Sequence, residues 1–183
     1  MIDYGLFRFA SPPRTGTTWF RKACLACGLG DPGRTGVHEP HEDEPTSILR
    51  VSLVRHPADW LRSYWSSIHP GVIGVSAVDS FRHLGREGGF DRFVRECLQF
   101  APGQVGLMVE RYNADTVLRL EDMPWALIEL LESLGVPESK SRRCLSLGPQ
   151  NTSSSGLLPA WSAVLRRRVM AAEEELAERF DYF

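Results

Sequence analysis

The chain has 183 residues, 43% of them hydrophobic and 24% charged, and a formal net charge of −2. One domain spanning residues 1–183 is expected, because domains cluster near ~100–150 residues. The charge balance excludes a broadly cationic nucleic-acid binder, and no apolar run approaches the ~20 residues of a bilayer span.

Four cysteines are too few for a disulfide scaffold. The first residues show no basic stretch followed by a long apolar core. A cytoplasmic protein with no membrane or nucleic-acid partner is expected.

Residues 4–10 (YGLFRFA) form a β-rich run, ended by the prolines and glycine of SPPRTG. From Thr17, TTWFRKACLACGL reads as a helix that Gly28 and Gly30 stop. A Pro-, Gly- and acid-rich stretch follows, with a short extended piece over residues 35–38 and the acids Glu42, Asp43 and Glu44. Residues 48–54 (ILRVSLV) are nearly continuous in apolar and β-branched side chains, the pattern of a buried parallel strand.

Pro57 stands where a first helical residue would, and ADWLRSYWSSI runs on from it. One face of that helix carries Trp60, Leu61, Tyr64, Trp65 and Ile68; a second, polar face carries Asp59, Ser63, Ser66 and Ser67. Residues 69–89 read as a Gly-rich mobile loop, with a short helix at most near 79–84. Helices are predicted over 90–100 and 104–112, a strand over 116–120, and helices over 124–134 and 138–145. A polar stretch (GPQNTSSSG) precedes one last helix, which starts near Pro159 and puts Trp161, Leu165, Arg168 with Val169, Ala172, Leu176 and Phe180 on one side. Strands separated by helices, without hairpin signals, argue for an α/β fold with a parallel sheet.

Ser11–Trp19 (SPPRTGTTW) lies between the first strand and its helix, where backbone N–H groups and the helix dipole hold anions. Gly16 allows close approach, Thr17 and Thr18 offer hydroxyls, and Arg14 adds a permanent positive charge. The nucleotidase loop GxxxxGK[ST] has a Lys after its glycine; here Thr17 occupies that place, which speaks against simple ATP or GTP hydrolysis.

The run PRTGTTW resembles the P-[KR]-[ST]-G-T-T-W loop of sulfotransferases. The resemblance implies a three-layer P-loop-type fold, with a central parallel β-sheet flanked by helices. It also implies 3′-phosphoadenosine 5′-phosphosulfate (PAPS) as cofactor, its 5′-phosphosulfate held by Arg14, Thr15, Gly16, Thr17 and Thr18. Trp19 would stack on the adenine, or else pack on the sheet.

LVRHPADWLRSYWSS is similar to the family's V-R-[ND]-P-x-D-x-x-x-S pattern. That likeness implies Arg55, at a strand end, and Ser63, two helical turns on, as the recognition pair for the 3′-phosphate. The departure is His56, where the family has Asn or Asp.

A catalytic base sits in many members in a segment like K-T-H-L-P, and the counterpart here is T-G-V-H-E-P-H. His38 is thus the implied base, with Glu39 second, His41 a further candidate, and Arg14 the residue neutralising the leaving group. Imidazole suits proton transfer at neutral pH. A plain loop histidine is the alternative reading of His38.

VLRLEDMP resembles a segment that follows a core strand in the family, and Glu121 and Asp122 there are expected to fix the next helix start. AERFDYF looks like the family's closing F-G-Y. The family's C-terminal R-K-G segment has no match; Arg142 and Arg143 read as solvated, as do Arg166, Arg167 and Arg168. Cys24 and Cys27 form a CxxC without the partners a metal site needs, so no metal is expected.

The resulting expectation is a sulfotransferase moving a sulfuryl group from PAPS to a hydroxyl or amine of a small-molecule or glycan acceptor. Trp65, His69, Phe81 and Phe90 are candidate walls of a compact or open acceptor site. An ATP-dependent small-molecule kinase, and a non-catalytic module binding a nucleotide or the product PAP (adenosine 3′,5′-diphosphate), are the rival readings.

Overall fold

A computed structural model describes residues 1–30, 37–41, 47–68, 89–148 and 158–183. The chain forms two compact units, Met1–Arg55 with Val109–Thr152, and His56–Met108 with Ser153–Phe183.

The first unit holds a four-stranded sheet of β1 (Ile2–Asp3), β2 (Phe7–Phe9), β3 (Leu49–Val54) and β4 (Thr116–Arg119), in that order. β2, β3 and β4 run parallel, with Phe9 opposite Val51 and Val51 opposite Thr116. β1 runs antiparallel to β2, so the sheet is mixed. This corrects the expectation of one strand over 4–10 and of no hairpin. Asp3 Oδ1 accepts from Gly5 N–H at 2.7 Å, and Gly5 takes a φ of 78°, so D-Y-G turns the chain where β-rich flanks suggested continuity.

Phe7 and Phe9 alternate inward across Arg8 and are fully buried. Against them lies α1 (Thr17–Ala26), whose Phe20 stacks on Phe9 with ring centres 4.1 Å apart. Val51, Leu53, Leu127, Leu131 and Cys144 complete the core of this unit. Arg50 and Asp115 lock the β3–β4 entry through a 2.7 Å ion pair and a bond from Arg50 N–H to the same carboxylate. That pairing holds the Asp115 carboxyl below the usual carboxylate range.

The second unit contains α2 (Pro57–Ile68), α3 (Phe90–Phe100), α7 (Ala163–Ala172) and α8 (Glu174–Arg179); α4 (Gln104–Glu110) spans the boundary. α5 (Trp125–Ser133) and α6 (Glu138–Ser141) belong to the first unit. α3 buries Phe90, Phe93, Val94 and Cys97, the spacing of a single helical stripe. Tyr64 stacks between Trp60 and Phe93, while Phe90 meets Trp161 edge-on at 4.7 Å.

Two expectations fail in this unit. Ser63 and Ser67, assigned to a polar face, are buried with Trp60 and Tyr64. A short hydroxyl can enter a helix interface because its own helix satisfies it, as when Ser67 Oγ donates to the Tyr64 carbonyl at 2.6 Å. The single last helix is two helices, broken at Glu173 with φ −112° and ψ 27°. The Glu173 carboxylate accepts from Val105 N–H at 3.0 Å and Gly106 N–H at 2.8 Å, satisfying orphan donors at the start of α4. Burial pushes its pKa up. Arg168, placed beside Val169 in the pattern, is exposed like Arg166 and Arg167.

Candidate functional site

Residues 11–16 connect β2 to α1 in the first unit, and their conformation depends on a directed chain of hydrogen bonds. Thr15 Oγ1 donates to the Pro12 carbonyl at 2.6 Å, so it has no second proton for Ser11. Ser11 Oγ therefore donates to Thr15 Oγ1 at 2.6 Å and accepts from Leu53 N–H at 3.3 Å. Ser11 and Thr15 are both buried, and the chain ties the loop to the neighbouring strand β3.

Two residues of the loop take the left-handed backbone region. Arg14 has φ 70° and Gly16 φ 90°. For Arg14 that conformation costs about 1–2 kcal/mol, strain of the kind that collects where a backbone must meet a ligand. At Gly16 the positive φ disfavours any residue with a Cβ, which would also have to push the end of the Leu120 side chain aside.

α1 starts immediately after Gly16 with no side-chain cap and no acid in its first turn. Its N-terminus thus presents the positive end of the helix dipole. Thr17, at the first helical position, is 9% exposed, and its Oγ1 is buried without a hydrogen-bond partner among the described residues. An orphan hydroxyl costs about 1–3 kcal/mol, which a ligand oxygen recovers. Thr18 is exposed and Trp19 half-buried, packed against the core of the unit.

Arg55 follows β3 and bends back to this loop, its Nη1 donating to the Arg14 carbonyl at 3.3 Å. Burial, and next the charge of Arg55, press the Arg14 pKa below its ordinary value. Two guanidinium groups beside a helix N-terminus make a local positive field on a chain of net negative charge.

His38 is brought to the head of the same loop. Its Nδ1 donates to the Ser11 carbonyl at 2.8 Å, while Ser11 N–H donates to the Val37 carbonyl at 3.0 Å. The imidazole is exposed. Val37 and His38 lie in a turn, not in an extended piece; the rest of that stretch, with Thr35, lies outside the described residues.

The other proposed bases have different partners. Glu39 is 80% exposed and lies 3.7 Å from the Met1 amino group. His41 is buried, its Nε2 facing the Val51 carbonyl at 3.2 Å and its Nδ1 the Met1 Sδ at 3.2 Å. Burial lowers the pKa of His41 and disfavours its charged form.

Ser63 belongs to the second unit and is 6% exposed. His56, also there, caps α2 through its carbonyl and sets its ring edge-on to Tyr182 at 5.2 Å. Trp65 meets Phe90 at 5.6 Å, whereas His69 and Phe81 lie outside the described residues.

Glu121 and Asp122 do not enter the first turn of α5; they form a separate 3₁₀ turn, and Asp122 pairs back to Arg119 at 3.3 Å. Arg142 and Arg143 are exposed, Arg142 pairing with Glu138 at 2.7 Å. The four cysteines are buried thiols, and the described residues hold no cluster of His, Cys, Asp and Glu suited to a metal ion.

No family model, curated protein or solved structure matches the chain. Among the described residues, no helix is long and apolar enough to cross a membrane.

Sequence reasoning passed over Ser11, whose three polar groups hold the loop to β3 and to His38. It also passed over Tyr112, whose hydroxyl donates to the His38 carbonyl at 2.9 Å. Both contacts bridge distant parts of the chain, so no local pattern marks them.

Proposed function

We propose that the protein is a PAPS-dependent sulfotransferase of three-layer P-loop architecture, acting on a hydroxyl or amine of a small-molecule or glycan acceptor. One observation carries this reading. Arg14 and Arg55 approach each other at a strand–loop–helix corner where the buried Thr17 hydroxyl has no partner among the described residues. Such a corner suits a ligand bearing phosphate groups.

On this reading, Arg14, Thr15, Gly16, Thr17 and Thr18 hold the 5′-phosphosulfate end. Arg55 takes the 3′-phosphate, and the part of Ser63 rests on the sequence pattern alone. Trp19 keeps a partly open ring beside the loop for the adenine.

The chemistry supplied by the cofactor is an activated sulfuryl group bonded to a phosphate oxygen. His38 Nε2 takes the proton of the acceptor as the acceptor oxygen or nitrogen forms its bond to sulfur. Arg14 and the N-terminus of α1 stabilise the electron pair left on the departing phosphate oxygen, as the sulfur–oxygen bond breaks. Glu39 remains the second candidate for the base. A reducing, cytoplasmic setting fits four cysteines present as free thiols.

Calorimetry with PAP, ADP and ATP, on wild type and Arg55→Ala, tests the assignment. Wild type should bind PAP well above ADP, and the variant should lose that preference. Equal affinity for PAP and ADP in wild type removes the 3′-phosphate assignment, and tighter binding of ATP than PAP favours a kinase. PAP affinity without sulfate transfer to any of a broad acceptor panel favours a non-catalytic module.

A further inference from the structure

We propose that Tyr112 is a positioning residue that fixes the ring tautomer of His38; its catalytic meaning rests on the reading of His38 as the base. The argument starts from the direction of each hydrogen bond. A carbonyl oxygen has no proton to give, so the 2.8 Å contact between His38 Nδ1 and the Ser11 carbonyl places the ring hydrogen of neutral His38 on Nδ1. Nε2 then carries the lone pair. A general base needs that lone pair on a defined nitrogen, and the bond at the other nitrogen decides which it is.

His38 cannot hold this orientation through packing, because it is exposed. Its backbone supplies the constraint. Ser11 N–H donates to the Val37 carbonyl at 3.0 Å, one peptide before, and Tyr112 Oη donates to the His38 carbonyl at 2.9 Å, one peptide after. The peptide groups on both sides of the His38 Cα are thereby pinned, and the ring bond to Ser11 closes the circuit.

Tyr112 suits the task. It is 5% exposed, it is anchored by its own N–H to the Val109 carbonyl at 3.1 Å, and burial pushes its pKa up to about 12. Its hydroxyl therefore remains a donor across the physiological range. Ser11 links the circuit to the anion loop, since its side chain donates to Thr15. The loop that would hold the phosphosulfate and the base that would take the acceptor proton thus share one fixed residue.

The test is the ring ¹⁵N spectrum of uniformly ¹⁵N-histidine-labelled protein, with His38→Ala to assign the resonances and Tyr112→Phe to delete one oxygen. Wild-type His38 should show a protonated Nδ1 and an unprotonated Nε2, their shifts widely separated. In Tyr112→Phe that separation should shrink by about half or more as the two tautomers exchange. Its PAP affinity should stay within about twofold of wild type, because no phosphate contact is removed.

A wild-type spectrum with the hydrogen on Nε2 overturns the proposal, and so does an unchanged separation in the variant. Failure of wild type to bind PAP counts against the cofactor reading, while the spectrum still decides the role of Tyr112.

Discussion

Arg55 reaches across from the end of β3 to bond the backbone carbonyl of Arg14, 3.3 Å away, and so brings a second cation to a loop that already carries one. The cost appears in Arg14, whose pKa falls through burial and through the charge of Arg55. Like charges held together in a folded protein favour an anion between or beside them. Replacing Arg14 by Ala should weaken PAP binding about ten- to a hundredfold, the range of a lost charge-assisted hydrogen bond. Without ligand the variant sheds the repulsion from Arg55 but keeps the left-handed backbone strain, because alanine also carries a Cβ, so the lost side-chain contacts should leave it slightly less stable than wild type. Titration calorimetry and a urea melt read the two effects; PAP affinity within threefold of wild type would remove Arg14 from the site.

Thr17→Val separates ligand binding from folding in a different way. The two side chains are nearly isosteric, and the hydroxyl removed is buried with no partner among the described residues. The unliganded variant should therefore melt at or slightly above the wild-type temperature, while PAP binds about five- to tenfold more weakly. A loss of thermal stability with unchanged PAP affinity would mean that the hydroxyl serves the fold alone.

His38→Ala should leave PAP affinity intact and remove most turnover, about a hundredfold or more, the usual contribution of a general base. Radiolabelled sulfuryl transfer from PAPS to a panel of phenols, alcohols and amines measures this. A loss of only a few-fold moves the role elsewhere, with Glu39 first.

His41 governs a pH effect on stability. Burial disfavours its imidazolium in the folded protein, whereas the unfolded chain takes up a proton below the ordinary value near 6.5. The unfolded state then binds more protons, so stability rises with pH through the window between the lowered folded value and 6.5. Acidification from about pH 7.5 to about pH 5.5 should lower the denaturant midpoint of wild type more than that of His41→Gln. Parallel midpoints for the two proteins would assign the acid sensitivity to other groups.

Much of the fold was legible because its signals are local. Apolar runs marked β3 and β4, spacing marked α2 and α3 to the residue, and Gly28 closed α1. What escaped depended on side chains finding distant partners. Glu173 ends α7 to serve amides at Val105 and Gly106, although E-E-E-L reads as continuous helix. Ser63 and Ser67 look polar in the pattern, yet their hydroxyls are small enough to be buried.

By itself the sequence determined the order strand, loop, helix around SPPRTGTTW, and with it the residue types proposed to meet an anion there. Propensity, proline and glycine act within a few residues of one another, so a linear reading captures them. Only the tertiary structure decided that Arg55 returns to Arg14, that His38 rather than His41 faces the loop at Ser11, and that Tyr112 holds it. Those relations join residues 11, 14, 38, 55 and 112 through single hydrogen bonds. Such bonds form only once the packing of β2, β3 and α1 has set the distances between the chain segments.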